Sequence, residues 1–213
     1  MNTLRIINSS IVITILLAFC TCNFPNRKPG GVKAKNEKYY TSLNRFSKSM
    51  INHFPDKVNE KSHLYESFSP EVGEVGIHLM TFFETTPRID NYIARYKPAE
   101  DSLLVINRFA NSKNYGYNIL ISTNDSIQIE KEFFLGKYPV PNFWSNIYST
   151  DSTTCKLPND FILYVIEAKP GKFVDNSMLT DGRCMPKKWK NGFSKGIAIS
   201  EERKIAIYWL VIW

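Results

Sequence analysis

The chain has 213 residues, a formal net charge of +7 and a high aromatic content, with 14 Phe, 11 Tyr and 4 Trp. That composition excludes an intrinsically disordered chain and fits a globular protein with a sizeable core. The four cysteines include no C-x-x-C pair and the three histidines (His53, His63, His78) lie far upstream of Cys155 and Cys184, so no metal site is expected.

The first ten residues carry one charge, Arg5, and residues 11–19 are apolar except for Thr14. A membrane-spanning helix needs roughly 20 apolar residues, and this run has about half of that, the length of a secretory signal's apolar region. Cys20 and Cys22 follow, then Pro25, Arg27, Lys28, Pro29, Gly30 and Gly31. This arrangement resembles bacterial lipoprotein precursors, in which a signal peptidase cuts before a cysteine that carries diacylglyceryl. Cys20 is preceded by the bulky Phe19 and Cys22 by the smaller Thr21, so Cys22 is the favoured lipidation site and Cys20 the alternative. The resemblance implies export and anchoring to the cell envelope. Asn23, standing where enterobacterial inner-membrane lipoproteins carry aspartate, implies the outer membrane.

On this reading residues 1–21 are a signal peptide, 22–36 a basic flexible tether, and 37–213 one globular domain. Within the tether region, Arg27, Lys28, Lys33 and Lys35 could lie within a Debye length of anionic headgroups, or serve as a plain soluble linker. Without the signal peptide the chain keeps Cys22, Cys155 and Cys184. If Cys22 is lipidated, the other two form an even pair in an oxidising compartment, where a disulfide is expected. Closing a loop of about 30 residues would stabilise the fold by roughly 3–4 kcal/mol. Two buried thiols, or a reactive Cys184, are the competing readings.

Tyr39, Tyr40, Leu43, Phe46, Met50 and Phe54 recur at three- and four-residue spacing, predicting an amphipathic helix over 37–54 closed by Pro55. Residues 56–75 read as a polar loop and 76–84 as a strand. Ile89, Tyr92, Ile93 and Tyr96 would share one helical face over 88–96. Residues 102–109 and 117–123 are strand-like and joined by a hairpin-length connection. Pro139, Pro141 and Pro158 obscure any pattern over 124–159, and 160–168 reads as a strand. At the C-terminal end, 195–200 and 205–213 flank the charged "EERK" and predict a β-hairpin. Its last strand is apolar on both alternating faces, which places it mid-sheet. The expected class is α+β, with an N-terminal amphipathic helix packed on a mainly antiparallel sheet.

"GFSKG" (192–196) matches the G-x-S-x-G nucleophile elbow, but an elbow needs a strand before the serine and a helix after it. Here a basic loop precedes Ser194, a strand follows, and no histidine lies downstream, so no catalytic role is assigned. Asp175, Asn176 and Asp181 lack the ligand spacing of a calcium loop, and Asp181-Gly182 is read as a turn. Asp160 and Glu167, seven apart on one strand, would lie on opposite faces and over roughly 20 Å apart. The stretch 183–195 is basic with Trp189 and Phe193 interleaved. A solvated loop with Trp189 packed inward is the simpler account. If any surface recognises a partner, Lys187, Lys188, Trp189 and Lys190 are the chosen patch, and export argues against nucleic acid as that partner.

No cofactor and no validated nucleophile emerge. The sequence therefore suggests a lipid-anchored binding protein, attached to the membrane and recognising an envelope protein or surface ligand. A small envelope hydrolase acting on glycan, peptide or lipid is the alternative.

Overall fold

The computed structural model describes residues 31–69, 73–99, 103–106, 136–143, 146–150, 152–153, 155–179 and 185–213. Helices α1 (Val32–Leu43) and α2 (Lys48–Ile51) come first. Among the described residues eight strands follow: β1 (His63–Ser69), β2 (Glu74–Phe82), β3 (Ala94–Tyr96), β4 (Val105–Ile106), β5 (Val140–Pro141), β6 (Ile162–Pro170), β7 (Gly192–Ser200) and β8 (Ile205–Ile212). The fold is α+β. Six strands form one antiparallel sheet in the order β1-β2-β8-β7-β6-β3, while β4 and β5 make a short parallel pair.

The β7–β8 hairpin turns over Glu201–Lys204 with Ser200 paired to Ile205, as the sequence suggests. Every residue of β8 is buried because the strand lies between β2 and β7 with both faces covered. Its alternation sorts the core into two layers. Ile207, Trp209 and Val211 join Phe143, Leu157, Phe161 and Trp213 on one face. Tyr208, Leu210 and Ile212 join Tyr39, Leu43, Phe54 and Val58 on the face that carries the helices.

Where sequence and structure part, tertiary contacts explain it. The helix expected over 37–54 begins earlier, at Val32, so the last residues of the expected tether are helical, and it breaks after Leu43. The break lets Phe46 reach Phe68 on β1, with ring centroids 5.5 Å apart and Arg45 4.3 Å above the Phe68 ring. Strand β1 lies within the expected loop, alternating Leu64 and Phe68 toward the helices with Tyr65 toward the other face. The helix expected over 88–96 is an extended segment ending in β3. Ala94 and Tyr96 enter one core layer, and Arg95 lies 5.9 Å over Tyr164 on the other side. A nine-residue window holds too few turns to separate the two periods. Of 102–109 the described residues are 103–106, of which Val105–Ile106 is strand, and 117–123 lies outside the described residues.

Candidate functional site

The sheet end bearing Gly192 and Trp213 gathers lysines. Lys169 and Lys172 flank Gly171, whose φ of +129° is a conformation suited to glycine. The Gly171 amide donates to Asn191 O at 3.0 Å, which brings this turn beside Lys187, Lys188 and Lys190. Those three are exposed on a single 3-10 turn and its cap.

Trp189 does not share their exposure. It is 4% exposed, its carbonyl accepts the Trp213 indole N–H at 2.9 Å, and Tyr138 meets its ring edge-on. Trp189 is therefore a packing residue, which corrects its choice as a surface anchor. The exposed aromatic here is Phe173, 36% accessible and set edge-to-face on Phe193 at 4.7 Å. Sequence reasoning missed it because Phe173 lies 16 residues from Trp189 and tertiary contacts such as the Gly171–Asn191 hydrogen bond bring the two loops together.

Ser194 lies inside β7 and is wholly buried. Its hydroxyl donates to Pro139 O at 2.6 Å and accepts from Trp209 Nε1 at 3.3 Å, a structural assignment. Asp175 caps a 3-10 turn, its Oδ1 accepting Ser177 N–H at 2.8 Å, and hydrogen bonding from the Ser177 side chain, followed by that of its backbone, lowers the carboxyl. Cys155 is fully buried and desolvation raises its thiol. Its expected partner Cys184, like Cys20, Cys22 and Asp181, lies outside the described residues.

A second concave region lies on the helix face, where the chain from Thr86 to Tyr92 crosses β6 and β7. It comprises two adjoining cavities of about 640 and 560 Å³ that share Ile89. At the floor of the larger one is Lys195, only 3% exposed. Its ammonium donates to Ser49 O at 2.6 Å and Asn52 Oδ1 at 3.2 Å and pairs with Glu167 Oε2 at 2.9 Å. Glu167 also meets Lys169 Nζ at 2.5 Å, and the Lys169 hydrogen bond, followed by that of Lys195, lowers its carboxyl.

His53 lines the same cavity. A carbonyl can only accept, so the 2.9 Å contact with Trp209 O places the proton on Nε2 and leaves Nδ1 as a buried lone pair without a partner among the described residues. Burial, with a smaller contribution from the Lys195 charge, lowers His53 to about 4, so the imidazole is neutral at pH 7.

In the smaller cavity Asp160 accepts both Arg203 Nε (2.8 Å) and Nη2 (3.0 Å), and Arg203 is the main reason its carboxyl is lowered. Asp160, just before β6, and Glu167, within it, thus serve separate ion pairs.

Comparison with known families, curated proteins and solved structures finds no match.

Proposed function

We propose that the protein is an exported, lipid-anchored binding protein whose lysine-rich sheet end recognises an envelope partner bearing acidic groups. The observation that carries this reading is the meeting of Lys172 and Phe173 with Lys187, Lys188 and Lys190 across the Gly171–Asn191 hydrogen bond. An exposed aromatic among cations is a composition favoured at protein contacts, and both loops are held by the sheet, which limits the ordering entropy lost on association.

The position of this end also supports the reading. The start of α1 lies at the other end of the sheet: Lys35 bonds Glu60 O, Asn59 bonds Phe82 O, and Phe82 pairs with Ile205. Along the nine residues of β7 the two ends are roughly 27 Å apart at about 3.3 Å per residue. A chain tethered through Cys22 would present its lysines away from the bilayer.

The test is recovery of partners from native envelope with the intact lipidated protein and with the triple variant Lys172→Glu, Phe173→Ser, Lys188→Glu. A partner captured by the first and lost by the second, at equal unfolding midpoint, is the expected result. The same set of proteins from both baits would refute the assigned surface. Cys22→Ala should leave the chain unprocessed or washed from the membrane fraction. Loss of lipid labelling with Cys20→Ala but not with Cys22→Ala would move the anchor to Cys20.

A further inference from the structure

The helix-face cleft meets the lysine-rich end at Lys169, which pairs with Glu167, but its lining and chemistry differ. Lys195 is the anomaly. On the same face of β7 its neighbours Phe193, Ile197 and Ile199 are apolar, and an apolar side chain there would avoid the desolvation of a nearly buried charge. A charge kept in such a place, at the floor of a cavity whose His53 Nδ1 has no partner among the described residues, is a mark of a binding site.

The lining also defines what would fit. Both lining cations are paired, Lys195 with Glu167 and Arg88 with Asp90; the smaller cavity is lined by Asp160, Glu201 and Glu202, of which Asp160 pairs with Arg203 and Glu201 with Lys204, outside the lining. With its two lining cations committed to carboxylates and acidic groups in excess, the cleft has little with which to select an anion, and the polar lining of its larger cavity disfavours an apolar ligand. What it offers is a set of planar amide, carboxylate and guanidinium groups oriented by their own pairings, suited to neutral hydroxyls. The adjoining cavity supplies the complementary surface. Tyr164, Ile162 and Ile199 form an apolar wall, with Tyr92 standing 48% exposed and edge-to-face on Tyr164 at 5.2 Å. Aromatic rings beside orienting polar groups match a ligand with both C–H faces and hydroxyls.

We infer that this cleft binds a neutral oligosaccharide, its hydroxyls meeting Asn91, Asp90 and Glu167 and one sugar face resting on Tyr92. Two adjoining cavities, each of ligand size, suit a chain of sugars rather than a single ring.

The experiment titrates the detergent-solubilised full-length mature protein with soluble tetrasaccharides built on glucose, mannose, galactose and N-acetylglucosamine, with an oligogalacturonate as the acidic control. Calorimetry and saturation-transfer NMR read the binding. At least one neutral tetramer should bind, and Tyr92→Ala and Asn91→Ala should each weaken it tenfold or more without moving the unfolding midpoint. Binding that survives both substitutions, tighter binding of the acidic control, or no binding by any neutral tetramer would overturn the inference. The Lys172/Phe173/Lys188 variant should bind the sugar normally, so failure at the cleft is distinguishable from failure of the lysine-rich surface.

Discussion

Glu167 and Lys195 face each other at 2.9 Å on the helix side of the sheet, although strict alternation along β6 would send Glu167 to the other side. A bulge between Val165 and Glu167 re-aims the carboxylate. Leu163 and Val165 before the bulge and Ala168 after it all enter the opposite core layer. The pair should be asymmetric under mutation. Glu167→Ala leaves a nearly buried ammonium short of its counter-charge and should destabilise by about 2 kcal/mol, reduced from the fully buried case because Glu167 is a third exposed. Lys195→Met should be neutral or stabilising, since Glu167 keeps Lys169. Denaturant midpoints of the two variants check both signs.

His53 makes stability depend on pH. It titrates near 6.5 unfolded and at about 4 folded, so between those values the unfolded chain binds the extra proton. Stability is therefore full above pH 6.5, declines as pH falls, and has lost about 3 kcal/mol from this group near pH 4. His53→Gln, which can still donate to Trp209 O, should flatten that window in denaturant melts at pH 7 and pH 4.5. The depressed carboxyls of Asp160 and Glu167 act in the same direction, their contribution being lost at lower pH still.

Trp189→Ala should cost about 3–5 kcal/mol through the cavity left against Trp213 and Tyr138. Lys187→Ala and Lys188→Ala should stay within roughly 0.5 kcal/mol. Thermal melts of the three variants would show whether the loop is anchored as the Trp213–Trp189 hydrogen bond indicates; an unshifted Trp189→Ala melt would contradict the packing described.

Gly196→Ala should be among the most damaging single-methyl additions. A Cβ there would run into the Tyr164 carbonyl and the Trp209 ring, and both belong to the rigid centre of the sheet. A loss of about 3 kcal/mol or more, or failure to fold, is expected at a position that reads as an ordinary strand residue. Pairing the change with Trp209→Leu should recover part of the loss, visible as a higher melting point of the double variant than the sum of the single losses predicts.

Cys155 and Cys184 should resist maleimide in the unreduced protein even after unfolding, and react once reduced. Labelling of the unfolded, unreduced chain would exclude the bridge and leave Cys155 as a buried thiol, protected natively by its complete burial.

By itself the sequence determined the class of the fold, the closing hairpin and the burial of its last strand. These are local or one-dimensional signals: a charged four-residue connection between apolar runs, and an apolar side chain at every position of 205–213. It also carried the short apolar run and the cysteines on which the expectation of a lipid anchor rests. Tertiary structure alone decided the rest. Whether 88–96 coils or extends depended on an open sheet edge at β6 offering Val165 O to the Ile93 amide. Whether Trp189 faced solvent depended on Trp213, 24 residues later, lying beneath it. The cleft was hidden for the same reason. Asn91, Glu167 and Lys195 are far apart in the chain, and a bulge of one residue decides which side of the sheet Glu167 reaches.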